Sequence, residues 1–172
     1  YVGVYKQMAL TYADYARFKD DTGLLQKGVD NYFKYHGLIG ESLEADNEIA
    51  SYFIKNKAYK ALGDLVRMKW YTRGDNFYMY RYGAIADFQN GKFLDAKKSI
   101  DMYFDVQKDK SQILPIDYLY KGLAELEASR NEDGTFNEAI RGNIKRKKKL
   151  LMAHLPLGTT NDVGTMYGFS KD

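Results

Sequence analysis

From Asn76 to Val106 the chain runs NFYMYRYGAIADFQNGKFLDAKKSIDMYFDV. Phe77, Tyr80, Ala84, Ile85 and Phe88 fall at helical spacing, Asn90-Gly91 interrupts, and Phe93, Ala96, Ile100, Tyr103 and Phe104 resume the pattern. Steps of three and four residues put each set on one face of an α-helix, and Asn-Gly between them is a turn signal. Two such helices joined by so short a break fold back on each other as a helical hairpin.

The remaining segments follow the same grammar. Val2 to Lys19 places Val2, Tyr5, Met8, Ala9, Tyr12, Tyr15 and Ala16 on one stripe. Asp20-Asp21-Thr22-Gly23 breaks it with residues suited to capping a new helix, which carries Leu25, Gly28, Val29, Tyr32 and Phe33 to about His36-Gly37. Residues 37–41 read as a glycine-marked connection. A third helix over 42–56 uses Leu43, Ile49, Ala50 and Phe53; a fourth turns Tyr59, Leu62, Leu65, Val66 and Trp70 inward. Asp75 or Asn76 is suited to cap the helix that follows. Pro115 fits the first turn of a helix with Ile116, Leu119, Gly122, Leu123 and Leu126 on its inner face. After a polar loop at 131–134, Thr135 to Glu138 has the form of a capping box, and Phe136, Ala139, Ile140 and Ile144 open an eighth helix. No strand-like alternation of useful length occurs. The expected fold class is all-α.

A chain of 172 residues with 45% hydrophobic and 28% charged residues can bury one sizeable core. Its 16 tyrosines suit packed helix seams, where a large ring meets a polar tip. The absence of cysteine removes disulfides, thiol catalysis and thiolate metal sites, and does not separate cytoplasm from periplasm. A net charge of +3 is too mild to imply nucleic acid by itself. No run approaches the roughly 18 apolar residues of a membrane span. A first residue of Tyr1 in place of Met reads as a processed or excised portion of a longer product.

The hairpins align with one another. Tyr80, Tyr82, Ala84, Ala86 and Phe88 match Tyr118, Tyr120, Gly122, Ala124 and Leu126; Gly91, Phe93 and Ala96 match Gly134, Phe136 and Ala139. Ala50 with Lys57, Tyr59 and Leu62 keeps the same register one hairpin earlier, and Tyr5, Ala9 and Tyr12 keep it loosely in the first. This pattern resembles the tetratricopeptide repeat, with an aromatic, a small residue four positions on, and Gly-x-Tyr-x-x-Ala at the turn. The segment Lys110 to Gly122 is also similar to tetratricopeptide proteins common among Bacteroidota, many of them envelope proteins; that likeness leans toward a periplasmic or cell-envelope setting. The resemblance implies an α-solenoid of about four hairpins, near 2–36, 42–71, 76–107 and 115–155, followed by an irregular tail or linker over 156–172. It departs from the family at the first turn, and at Asp46, which stands where an aromatic is usual.

The resemblance also implies a protein–protein interaction or scaffold module. Its partner would be a protein or peptide held on the concave face, within a larger assembly. The family register assigns the groove to Tyr78, Arg81, Ile85 and Phe88 in the third hairpin and Leu119, Leu123 and Glu127 in the fourth. The Lys/Asn clamp for chaperone tails is not reproduced, since Leu10, Glu48 and Tyr78 occupy clamp positions.

Signs of catalysis, metal or cofactor binding are missing from the sequence. His36 and His154 lack a second histidine at ligand spacing, and each reads as a helix-end residue. Ser129 to Ile140 imitates a calcium loop but has Ser and Ile at its first and closing ligand positions. Arg73-Gly74-Asp75 is explained as a helix-ending turn. The expectation is a non-enzyme without cofactor. The alternative reading rests on the basic segment 141–149, as a binder of nucleic acid or an anionic surface. That segment has no interleaved aromatics for stacking on bases, and a solvated cap on the last hairpin is the favoured account of it.

Overall fold

The computed structural model describes residues 1–72 and 77–130, with side chains for 1–69 and 77–130. Among them are seven α-helices and no β-strand: α1 (Gly3–Lys19), α2 (Thr22–Ile39), α3 (Leu43–Lys55), α4 (Tyr59–Thr72), α5 (Tyr78–Gln89), α6 (Phe93–Val106) and α7 (Pro115–Ala128), with a 3-10 turn at Lys110–Gln112. The all-α expectation holds for this part of the chain. The caps at Asp75 or Asn76 and at Thr135, the Arg73-Gly74-Asp75 turn, the side chain of Trp70, His154, the eighth helix, the basic segment 141–149 and the tail 156–172 lie outside the described residues.

Local chemistry sets the helix ends. Asp20 ends α1 in the left-handed conformation (φ 52°), and Asp21 caps α2, its Oδ1 accepting from the backbone N–H of Gly23 at 2.8 Å and Leu24 at 3.1 Å. Ser42 Oγ caps α3 by accepting from Ala45 N–H at 3.0 Å. Pro115 occupies the first turn of α7, where its missing N–H costs nothing, and Asp117 Oδ2 accepts from Leu114 N–H at 2.8 Å.

The turns α3–α4 and α5–α6 share one construction. Asn56 and Asn90 each bond a carbonyl four residues back through Nδ2, at 2.8 and 2.7 Å. The next residue, Lys57 or Gly91, is left-handed (φ 56° and 76°). Paired bonds Lys57 N–H to Ile54 O with Ala58 N–H to Phe53 O, and Gly91 N–H to Phe88 O with Lys92 N–H to Asp87 O, complete a Schellman closure in both.

Consecutive helices pack together, most extensively α1 on α2, α5 on α6, α4 on α5 and α6 on α7. The main core runs from α1 through α5 around Ile49, Phe53, Leu62, Leu65 and Met79. A second cluster, Ala84, Ile100, Tyr103 and Ile113, sits on the other side of α5. α1 and α2 approach closely at Gly28, where a Cβ would meet the Tyr52 hydroxyl at 2.7 Å and the Ala9 carbonyl oxygen at 3.1 Å.

Three expectations are corrected. The buried stripe of α1 is narrower than the sequence implies, being Ala9, Ala13 and Ala16, while Val2, Met8 and Tyr15 are exposed. α2 continues through Gly37 to Ile39, so the connection shortens to 40–42; a glycine inside a helix costs too little to end it. α7 is rotated. Asp117, Tyr120 and Ala124 are buried, and Leu119, Leu123 and Leu126 only half-buried, because bonds from α5 hold Asp117 and Tyr120.

Candidate partner-binding face

The odd-numbered helices form a row joined by side-chain bonds. Lys6 of α1 pairs with Glu48 of α3, and the Tyr52 hydroxyl of α3 donates to the Ala9 carbonyl of α1 at 2.9 Å. The Tyr82 hydroxyl of α5 donates to Asn47 Oδ1 of α3 at 3.1 Å. Gln89 Nε2 of α5 donates to the Tyr120 hydroxyl of α7 at 3.2 Å. Arg81 Nη2 donates to Asp117 Oδ2 at 2.5 Å and to the Gln112 carbonyl at 2.8 Å. Its guanidinium also lies 4.8 Å from the Tyr103 ring centre and 5.6 Å from that of Tyr78. Burial pushes the hydroxyls of Tyr52 and Tyr82 up to about 12, so both stay neutral donors. The hydrogen bond to Glu48 raises Lys6, and burial partly opposes it.

This row contains the seven residues assigned to the groove, and it uses several of them internally. Arg81, 13% exposed, is committed to Asp117. Ile85 is buried in the main core. Phe88 is half-buried between Phe93 and Tyr120, with ring centres 5.3 and 5.6 Å away. Tyr78 is half-buried beside Phe77 at 4.6 Å. Leu119 and Leu123 are half-buried, and Glu127 pairs with Arg130 at 2.8 Å. The register therefore placed these side chains at the joint between the third hairpin and α7, and none of the seven is fully exposed.

Sequence reasoning missed a buried charged cluster joining three helices. Asp46 Oδ1 lies 2.9 Å from His36 Nε2 of α2 and 3.2 Å from Lys69 Nζ of α4, and Lys69 reaches Glu41 at 3.0 Å. Asp46 and Lys69 side chains are 0% and 1% exposed. The signal was present: Asp46 stands where the tetratricopeptide resemblance expects an aromatic, and a buried acid requires cationic or donor partners. His36, expected at a helix end, sits in the last turn of α2 and reaches this cluster.

A cleft of about 250 Å³ lies between α4, α5 and α6, lined by Gly63, Val66, Arg67, Gly83, Asp87, Lys92 and Asp95. Burial raises the Asp87 carboxyl, with Asp95 adding and Lys92 and Arg67 opposing. The cleft is smaller than the usual size of ligand pockets. Among the described residues, no group of three His, Cys, Asp or Glu could hold a metal ion, and no helix is long and apolar enough to cross a membrane.

No protein-family model, curated protein or solved structure matches the chain.

Proposed function

We propose that the chain is a scaffold module of tetratricopeptide type, which holds a peptide or protein partner on the face formed by the first helix of each hairpin. The observation that carries this reading is the row of cross-helix bonds from Lys6–Glu48 through Tyr82–Asn47 to Arg81–Asp117. A surface fixed in this way pays little ordering entropy when a partner arrives. The Asn–left-handed–Schellman turn, shared by α3–α4 and α5–α6, supports the repeat reading, because the second and third hairpins close by the same geometry.

The roles within the face divide. Tyr78, Phe88, Leu119, Leu123 and Glu127 supply contact area, and Arg81 and Ile85 hold the helices that present it. Co-purification of the full-length protein from its native source tests this. Tyr78→Ala and Leu123→Ala are expected to lose the partner while remaining folded, with some loss of melting temperature from their half-buried packing, whereas Arg81→Ala acts chiefly by lowering the melting temperature. Capture of the same partner, undiminished, by both folded contact variants would refute the assignment.

A further inference from the structure

Asn90 is the only asparagine in the sequence that a glycine follows. That step has a chemistry of its own, because the glycine nitrogen is not screened by a side chain and can attack the asparagine side-chain carbonyl. The bond from Gly91 N to Asn90 Cγ forms, the Cγ–Nδ2 bond breaks, and ammonia leaves with the proton of the Gly91 N–H. Water then opens the cyclic imide. Opening at Cγ gives aspartate; opening at the backbone carbonyl gives isoaspartate, with an extra carbon in the main chain.

The folded turn opposes each part of this reaction. Gly91 N–H, the nucleophile, donates to the Phe88 carbonyl at 3.1 Å. Nδ2, the leaving group, donates to the Ala86 carbonyl at 2.7 Å and to that of Tyr59 at 3.2 Å. Asn90 has ψ 9°, which carries Gly91 N over the Asn90 backbone nitrogen and away from Cβ, so the imide ring cannot close. Both residues are nevertheless exposed to solvent, and surface bonds of this kind break without unfolding the core. The matching turn at Asn56-Lys57 lacks both conditions: Asn56 is buried, and a lysine side chain screens the nitrogen that follows it.

We propose that Asn90 is a site of spontaneous deamidation, admitted by local opening of the α5–α6 turn, and that its products loosen the third hairpin from the second. The loosening follows from the bond to Tyr59, the first residue of α4. A carboxylate has no N–H to give that carbonyl, and it sets negative charge at the C-terminus of α5, where the helix dipole disfavours it. Isoaspartate goes further, since the lengthened main chain displaces Gly91 and Lys92 from the Phe88 and Asp87 carbonyls. The inference is independent of the partner-binding reading.

The test incubates the full chain, folded and in urea, at neutral and mildly alkaline pH. Peptide mapping by mass spectrometry follows Asn90 through the mass gained when water replaces ammonia, with synthetic peptides as standards for the two products. In urea, Asn90 is expected to convert at least about tenfold faster than Asn56, and Gly91→Ala to slow it by a similar factor. The folded chain is expected to convert measurably, but at least about tenfold more slowly than the unfolded one. Deamidated chain separated by ion exchange, and the Asn90→Asp variant, are expected to melt several degrees below the parent. Asn90 intact in the folded chain, converting no faster in urea, or matching Asn56 there overturns the site. Deamidated chain that melts with the parent overturns the loosening.

Discussion

Gly28→Ala tests the close approach of α1 and α2 at Gly28. The added carbon would stand 2.7 Å from the Tyr52 hydroxyl, 3.1 Å from the Ala9 carbonyl oxygen and 3.4 Å from Tyr12 Cβ. Non-bonded heavy atoms prefer about 3.5–4.0 Å. Tyr52 cannot retreat freely, because it is 5% exposed and its ring centre lies 4.2 Å from that of Tyr32. Alanine gains about 1 kcal/mol of helix propensity over glycine. Against this, overpacking costs about 1–3 kcal/mol and loss of the Tyr52–Ala9 bond about 1 kcal/mol. The net expectation is destabilisation by about 1–3 kcal/mol. In a Tyr52→Phe background the hydroxyl is absent and the nearest atom is the Ala9 oxygen, so Gly28→Ala should be close to neutral. Urea unfolding of the four chains, followed by far-UV circular dichroism, reads the coupling directly. Equal costs in both backgrounds, or a gain of about 1 kcal/mol in the parent, would refute the close-contact argument.

Further expectations follow from the same geometry. Lys57→Gly should stabilise by about 0.5–1 kcal/mol and Gly91→Ala should destabilise by about 1 kcal/mol, since both sites are left-handed; thermal melts check the pair. Asp46→Ala should cost about 3–5 kcal/mol by stripping the buried Lys69 and His36 of their shared carboxylate, measured by urea unfolding. Burial raises the Asp101 carboxyl, but hydrogen bonds from Lys121 and Lys97 outweigh it and hold the group below its ordinary 3.8. Its contribution is therefore present above that value and lost as pH falls through the lower folded value, so Asp101→Asn should flatten the acid limb of a pH–melting curve. Tyr82, pushed up to about 12 chiefly by burial, keeps its proton in the folded state while the unfolded chain ionises near 10. Stability should fall between those values, and Tyr82→Phe should remove one late step from an alkaline spectrophotometric titration.

The helices of the described chain were legible because their causes are local. Spacing at Phe77 to Phe104, Asn-Gly at the turn, Asp21 and Ser42 as caps and Pro115 in a first turn each act within a few residues. The correspondence of Lys57 with Gly91 was readable too, although only the backbone reveals that a lysine accepts the same left-handed conformation. The groove residues were less legible. The register gave Arg81, Ile85 and Phe88 a common side of α5, but their burial depends on how α7 turns against that side.

The sequence by itself determined the helices of the described residues and the turns at Asn56-Lys57 and Asn90-Gly91, because periodicity and turn chemistry are short-range properties. Tertiary structure decided which stripe of each helix is covered. It brought Asp46 to His36 and Lys69, turned Asp117 and Tyr120 of α7 toward α5, and left Val4 and Met8 of α1 open. The physical reason is that burial belongs to pairs of elements: an apolar stripe states that a partner is needed, and only the packed neighbours state which stripe has one.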